Sequence, residues 1–592
     1  MHATVRLLLL LACSFPFWVG CSLQAGEGDT VTSDQSPPVP RSIDEEAIAA
    51  WVEVLLTEPS FRGRLSHTDT LAAHYRARGH RPQWVQQRNF PTAVASIMRF
   101  PLRAGEHGLD PRWYHAPALQ EALVAVLTDP DHENDHSATL ARLELLLSDG
   151  LLTYATHLRY GIVDPRRIDA EYHLPVRKPG LREFLEPLHS KDIVSYLRNV
   201  QPSDSRYRGL QAAYAQFRDI GRLYRWPAIP TLTVDKISAG DTSSVVPALL
   251  QRLMLTGELY ATSHPPPRGA ITLVDLARQA YELDSLRLYS LGAHSFDSTM
   301  ASAVMRYQKR HGLLIDGIVG RRTVARMNRG IDDYTEQIRI NLERFRWMRY
   351  PDRGRYILVN IPEYWLYAVN NGAVESEMPV CVGLPDLSTP QIDGEFSYLV
   401  LNPVWHVPWS IATKEIYYSA KKDSNYLQKG NYKVYRGGEV VDASAIEWAN
   451  YDPEQMPYSF KQQSGRGNAL GAIKFMFRND FSIYLHDTPQ QWAFKRAVRA
   501  VSHGCVRIKQ PMEFARFLLD GTPKWDVARL QRVIWSGAQS KSVILKQRTP
   551  LFIDYYTVWV DAEGVLQFRD DIYGKDAVLS RVFQRRSAAT RG

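Results

Sequence analysis

The hydrophobic period of this chain changes once, near residue 350, and that change limits the folds open to it. Before it, apolar residues recur at three- and four-residue intervals, the spacing that lines one face of a helix. Leu140, Leu143, Leu147, Leu151, Tyr154 and Leu158 are the clearest case, closed by Gly161 and Pro165. After it the pattern is alternating and β-rich: 356–360 (YILVN), 365–369 (WLYAV), 396–401, 474–477 and 481–485 read as strands. The expected fold class is multidomain α+β, helices first and a mostly β unit second. At 592 residues the chain is too long for one core, and about 100 to 200 residues per domain predicts three to five.

Arg6 and the apolar run 7–12, extended by Phe15, Phe17, Trp18 and Val19, predict an export signal over 1–25. Two processing routes stay open: lipid attachment at Cys21 in Val19-Gly20-Cys21-Ser22, giving an outer-membrane lipid anchor, and ordinary cleavage after Ala25. Residues 26–41 are polar and Pro-rich, a flexible linker. Ser42 and Glu45 have capping-box spacing and open a helical domain over 42–225, in which His157 and Arg159 lie off the leucine stripe and are expected in solvent. Residues 226–330 make a second unit, with an excursion at 260–295 marked by Pro265-Pro266-Pro267, and 331–353 is a helical connector. The β unit spans 354–540. It is interrupted at 411–470 by an aromatic and polar insertion, long enough to expect a functional cap rather than a plain loop. Residues 541–592 follow as a β extension with a hairpin turn at Asp561-Ala562-Glu563-Gly564 and a tail from Ser587 expected to be disordered.

Composition narrows the function. A hydrophobic content of 45% and a charged content of 23% are those of a soluble globular protein. The net charge of +8 favours an anionic polymer or surface, but no basic stripe interleaved with aromatics is present, so nucleic acid is not an expected partner. Of four cysteines, Cys13 and Cys21 belong to the export segment, leaving too few for a disulfide framework. Cys381 reads as a buried strand residue. Neither HExxH nor a cluster of His and carboxylates at ligand spacing occurs, so no metal and no cofactor is implied.

The remaining thiol carries the chemistry. Cys505 stands in Ser502-His503-Gly504-Cys505-Val506-Arg507-Ile508, and Tyr484-Leu485-His486-Asp487 precedes it. A thiol attacks as thiolate, and a nearby imidazole is the commonest means of making one. His486 is far enough upstream for the chain to leave and return as a base. His503 could itself be the base, but two residues before the thiol on a tight turn it more easily orients that turn or touches substrate. The set suits acyl transfer: Cys505 attacks a carbonyl, and His486 takes its proton and returns one to the leaving amine. Backbone N–H groups of the His503-Gly504-Cys505 turn can hold the oxyanion. Arg507 pairs with a substrate carboxylate or makes a structural salt bridge; Tyr484, on the His486 strand face, lines the pocket or packs in the core.

A lone His followed by Ser-His-Gly-Cys-Val-Arg resembles the L,D-transpeptidases of the bacterial cell wall, with their YkuD catalytic domain; papain-like peptidases place Cys before His. The wider layout is similar to the large multidomain YcbB-like type. The helical domain resembles its scaffold domain, the segment through His311-Gly312-Leu313 and Asp316-Gly317 a small three-helix peptidoglycan-binding domain, and the insertion a capping subdomain. The resemblance implies that the backbone carbonyl after the base, here that of Asp487, holds the His486 tautomer; the Asp487 carboxylate as third triad member is the alternative. It also implies peptidoglycan stem peptides as partners: a tetrapeptide donor that releases D-Ala, a diamino acid amine as acceptor and a 3→3 cross-link as product. Carbapenems are expected to acylate the thiol, and the expected location is the periplasm of a Gram-negative-type envelope. L,D-carboxypeptidase activity, exchange of terminal D-amino acids, attachment of a lipoprotein to the wall and a non-catalytic wall-binding scaffold stay open on the same residues.

Overall fold

The computed structural model describes residues 43–86, 92–128, 135–223, 226, 228–259, 294–348, 350–351 and 353–589. The segments expected as export signal, with Cys21, and as linker, together with Ser42 and residues 260–293 of the expected excursion, lie outside the described residues. The first described helix, Glu45–Thr57, is capped by Asp44, whose carboxylate accepts from the Glu46 and Ala47 N–H groups at 3.0 and 2.9 Å. It packs with Thr68–Ala77, Ala116–Leu127 and Leu181–His189 around the long helix Ser137–Tyr160.

The leucine stripe of that helix is core as expected, and so is most of the rest of its circumference, Arg142 being exposed. A helix surrounded by others needs protein partners for its polar groups. Glu144 accepts from the Tyr75 hydroxyl and the Gln83, Trp84 and Val85 N–H groups at 2.5 to 3.0 Å. Asp149 accepts from the Ser66 and His67 N–H groups at 3.1 and 2.9 Å. His157 is therefore not in solvent: it is buried, with Nδ1 2.9 Å from the Tyr114 hydroxyl, and Arg159 is half-buried against Glu183.

Helix Ile331–Trp347 is likewise more than a connector. It packs against Ser205–Leu223, the hairpin strand Val558–Val560 and the C-terminal helix Lys575–Ala589. Three charged residues of its last turns are buried with partners: Arg346 donates to Glu343 at 2.7 Å, Glu343 also accepts the Ile162 N–H, and Arg344 donates to Asp576 at 2.5 Å. Removing one member of such a pair strands the other charge, so Glu343→Ala is expected to lower the unfolding free energy by about 3–5 kcal/mol. Urea titration measures it; a loss under about 1 kcal/mol would mean that Arg346 finds water instead. The C-terminal helix takes in 587–589 of the tail expected to be disordered, and the Ser587 hydroxyl donates to Asp110 at 2.9 Å; 590–592 lie outside the described residues. Helices Val246–Leu255, Ser298–Arg310 and Arg321–Met327 share a small core with Leu249, Leu253, Phe296, Val304 and Tyr307.

The β unit holds β1 (Arg355–Asn360), β2 (Trp365–Asn370), β3 (Ala373–Gly383), β4 (Ile392–Leu401), β5 (Ile473–Phe477), β6 (Leu485–His486), β7 (Ala500–Ser502), β8 (Val506–Ile508) and β9 (Lys541–Asp554). Their order is β7-β3-β8-β6-β5-β4-β9-β1-β2, and β2 pairs back onto β3. The sheet thus closes into a barrel, made possible by the length of β3: its first half pairs with β2, its second with β8 and β7. Strand β9 lies between β4 and β1, so the segment from 541 completes this barrel rather than extending it. Of 481–485 only Leu485 is in a strand. Asn479 Oδ1 accepts the Phe481 and Ile483 N–H groups at 3.0 Å, and Ser482 takes φ +57°, which bends the chain before β6.

The insertion is a subdomain with its own sheet, Trp405–His406, Tyr432–Arg436, Glu439–Val441 and Tyr458–Gln462. A separate apolar cluster including Ile416, Tyr417, Trp448 and Phe460 holds it together.

Candidate active site

Strand alternation decides which side chains share a face. In the parallel pair β6–β8, Leu485 is opposite Val506 and His486 opposite Arg507; Leu485, Val506 and Ile508 enter the barrel core. His486 and Arg507 take the outer face, and the Tyr484 and His486 rings lie 5.7 Å apart. Cys505, half-buried at the start of β8, sits beside them: the Val506 N–H donates to the Tyr484 carbonyl at 3.2 Å, and Cys505 Sγ is 3.9 Å from the Ser482 carbonyl oxygen. The structure therefore brings Cys505, His486, Tyr484 and Arg507 to one patch.

His486 is buried, with Nδ1 2.5 Å from the Asp487 carbonyl oxygen. A carbonyl only accepts, so Nδ1 carries the proton and Nε2 is the basic nitrogen. The Asp487 carboxylate turns elsewhere, accepting the Ala472 and Thr488 N–H groups at 2.8 and 2.7 Å. His503 is exposed and its Nε2 pairs with Glu415, so it faces the insertion. Gly504 has φ +106°, a conformation that glycine adopts without strain. Its N–H donates to Ser502 Oγ at 3.2 Å and its carbonyl accepts from Thr389 Oγ1 at 2.7 Å. With that N–H engaged, the turn offers the His503 and Cys505 N–H groups. Arg507 Nη1 donates to Gln490 Oε1 at 2.7 Å and makes no salt bridge among the described residues.

Burial pushes the Cys505 thiol up, against the opposing pull of the Tyr484 N–H and hydroxyl, the Lys474 ammonium and Arg507. Burial and the Arg507 charge push His486 down to about 3. Both shifts favour the neutral forms, so the resting pair is thiol and imidazole, not the thiolate expected from the motif alone. The sign follows directly. With the thiol above its ordinary value, iodoacetamide should alkylate the free enzyme more slowly at pH 7 than it does a solvated cysteine, the rate rising about tenfold per pH unit past pH 8. A rate already level between about pH 5 and 7 would instead mean a thiolate–imidazolium pair.

Several residues at the site were not legible in advance. Lys474 lies opposite His486 on β5, its ammonium 3.7 Å from the Tyr484 ring centroid. The one signal for it is a lysine between inward Ile473 and Phe475 on a core strand. Glu415, on the helical turn Ala412–Ile416 of the insertion, and Thr389, on a loop, reach the His503–Cys505 turn from positions distant in sequence and carry no local signal. Cys381 is free and buried across from Arg507, as a strand residue should be, and burial pushes it up to about 11. Among the described residues no three His, Cys, Asp or Glu side chains group as a metal site would.

A thiol, a tautomer-fixed imidazole and a glycine turn thus share one face of a closed barrel, and the family comparison identifies the domain that holds them. Residues 354–527 match the L,D-transpeptidase catalytic domain, YkuD; residues 69–213 match the scaffold domain, and 282–327 the domain described as "Putative peptidoglycan binding domain". The chain thus carries a YkuD L,D-transpeptidase catalytic domain together with scaffold and peptidoglycan-binding domains. A curated relative from Haemophilus influenzae, described as "Putative L,D-transpeptidase", is 34% identical over 247 residues, 42% of this chain and 49% of that protein. The chain spans about half the length of that relative. Two solved L,D-transpeptidase structures were also matched, from Xylanimonas cellulosilytica (residues 123-326) and Stackebrandtia nassauensis. They are 14% and 12% identical, cover 55% of this chain and 100% and 96% of their own, and have TM-scores of 0.17 and 0.20, too low to carry an argument.

Proposed function

We propose that this protein is an L,D-transpeptidase that makes 3→3 peptidoglycan cross-links through a thioester on Cys505. The observation that carries the reading is the Asp487 carbonyl on His486 Nδ1, which leaves Nε2 as base at the patch that holds the half-buried thiol. Cys505 attacks the carbonyl between the third stem residue and the terminal D-Ala as its proton passes to Nε2. The oxyanion rests on the His503 and Cys505 N–H groups, the C–N bond breaks, and the D-Ala amine leaves with the proton from Nε2. An acceptor side-chain amine then attacks the thioester, gives its proton to Nε2, and the thiol is restored.

Arg507, hydrogen-bonded to the neutral Gln490 amide and in no salt bridge among the described residues, would receive a stem carboxylate, and Tyr484 would line the pocket. The exported, periplasmic location follows from the substrate and the export segment. No helix among the described residues is long and apolar enough to cross a membrane. Incubating purified tetrapeptide fragments with the enzyme and analysing the muropeptides by mass tests the reading. Cross-linked dimers with free D-Ala are expected; monomeric tripeptide alone would make it an L,D-carboxypeptidase, and no product a wall-binding scaffold.

A further inference from the structure

The nucleophile turn is held from behind by a loop and a tyrosine whose arrangement has its own consequence. The Gly504 C=O and the Cys505 N–H belong to one planar peptide group and point opposite ways. Thr389 Oγ1 donates to that carbonyl at 2.7 Å, so it fixes the plane and aims the Cys505 N–H away from itself. A hydrogen bond accepted at the carbonyl also strengthens the N–H as a donor. The Leu384 N–H does the same for the neighbouring plane, donating to the Ser502 carbonyl at 2.9 Å and so orienting the His503 N–H.

Thr389 has little freedom of its own. It is fully buried, and its Oγ1 accepts the Gly383 N–H at 2.9 Å. Gly383 has no room for a side chain, since a Cβ there would stand 2.1 Å from the Leu387 carbonyl oxygen. The Tyr573 hydroxyl closes the loop from outside, donating to the Gly383 carbonyl at 2.7 Å and accepting the Thr389 N–H at 3.2 Å. Tyr573 is fixed in turn: its N–H donates to the Tyr555 hydroxyl at 2.9 Å, which donates to Asp571 at 2.8 Å. Tyr573 lies beyond the residues that match the catalytic-domain model.

We propose that Thr389 and Tyr573 are positioning residues that aim the oxyanion-binding Cys505 N–H, so that the C-terminal segment is part of the transferase machinery. The proposal rests on the acyl-transfer reading above. The test measures kcat and KM for D-Ala release from a tetrapeptide, and separately the iodoacetamide alkylation rate of Cys505, on the full chain. Alkylation forms no oxyanion, so it reports the thiol alone. Thr389→Val should lower kcat about 10- to 100-fold with KM and alkylation within about threefold of wild type, because an oxyanion donor acts mainly in the transition state. Thr389→Ser should restore most of kcat, and Tyr573→Phe should lower it less, with KM unchanged. The proposal is overturned if Thr389→Val keeps kcat within about threefold. It is equally overturned if kcat and alkylation fall in parallel in both Thr389→Val and Tyr573→Phe, which is general distortion. A wild type that alkylates normally yet releases no D-Ala overturns the acyl-transfer reading itself, and this inference with it.

Discussion

Cys505→Ala is expected to cut D-Ala release from a tetrapeptide stem by on the order of 10⁴-fold or more, the scale on which loss of a catalytic nucleophile is felt. The reaction is written as two displacements at one carbonyl, and both need the sulfur: it is the attacking group in the first and the leaving group in the second. Stem-peptide binding should survive, because Arg507 and Tyr484 are untouched, and so should the fold, since the side chain only grazes the barrel core. Mass analysis of the products reads the loss, and a residual rate within about tenfold of wild type would remove the thiol from the mechanism.

His486→Gln is the second large effect. General-base assistance contributes roughly 10²- to 10⁴-fold, and a loss in that range is expected in kcat/KM. The pH dependence separates a base from a packing residue. His486 is held down to about 3, so in wild type the base form persists well into mild acid and the rate should stay level from neutrality down to about pH 5. Without the imidazole, only the thiolate fraction reacts. Burial raises the thiol, so the residual rate of His486→Gln should climb about tenfold per pH unit through pH 8. Stopped assays across this range check it; a variant with the wild-type profile and a uniformly small loss would make His503, paired with Glu415, the better candidate.

What could be read from the chain followed from whether the information was local. Ser502 to Arg507 are contiguous, His486 reaches them through a neighbouring strand, and the leucine stripe of Ser137–Tyr160 repeats at helical spacing. His157, expected in solvent, is a polar side chain whose partner, Tyr114, comes from elsewhere in the chain. The partners of Arg344 and Glu343 on the helix expected only as a connector, Asp576 and the Ile162 N–H, are likewise supplied by long-range packing. Strand β9 reads from the sequence as lying outside the β unit, because its place between β4 and β1 depends on pairing, not composition. Glu415 of the insertion and Thr389 reach the His503–Cys505 turn, and Tyr573 the loop behind it, only in the folded chain, so no motif could have named them.

The covalent step can be caught directly. Incubating the enzyme with a carbapenem, which the thiol should open to a stable ester, then measuring intact mass and mapping the adduct by peptide digestion, reads the acylated residue. The account predicts one adduct, on the peptide that contains Cys505, absent from Cys505→Ala and with Cys381 unmodified. A wild-type protein that gains no mass, or gains it at Cys381, would contradict it.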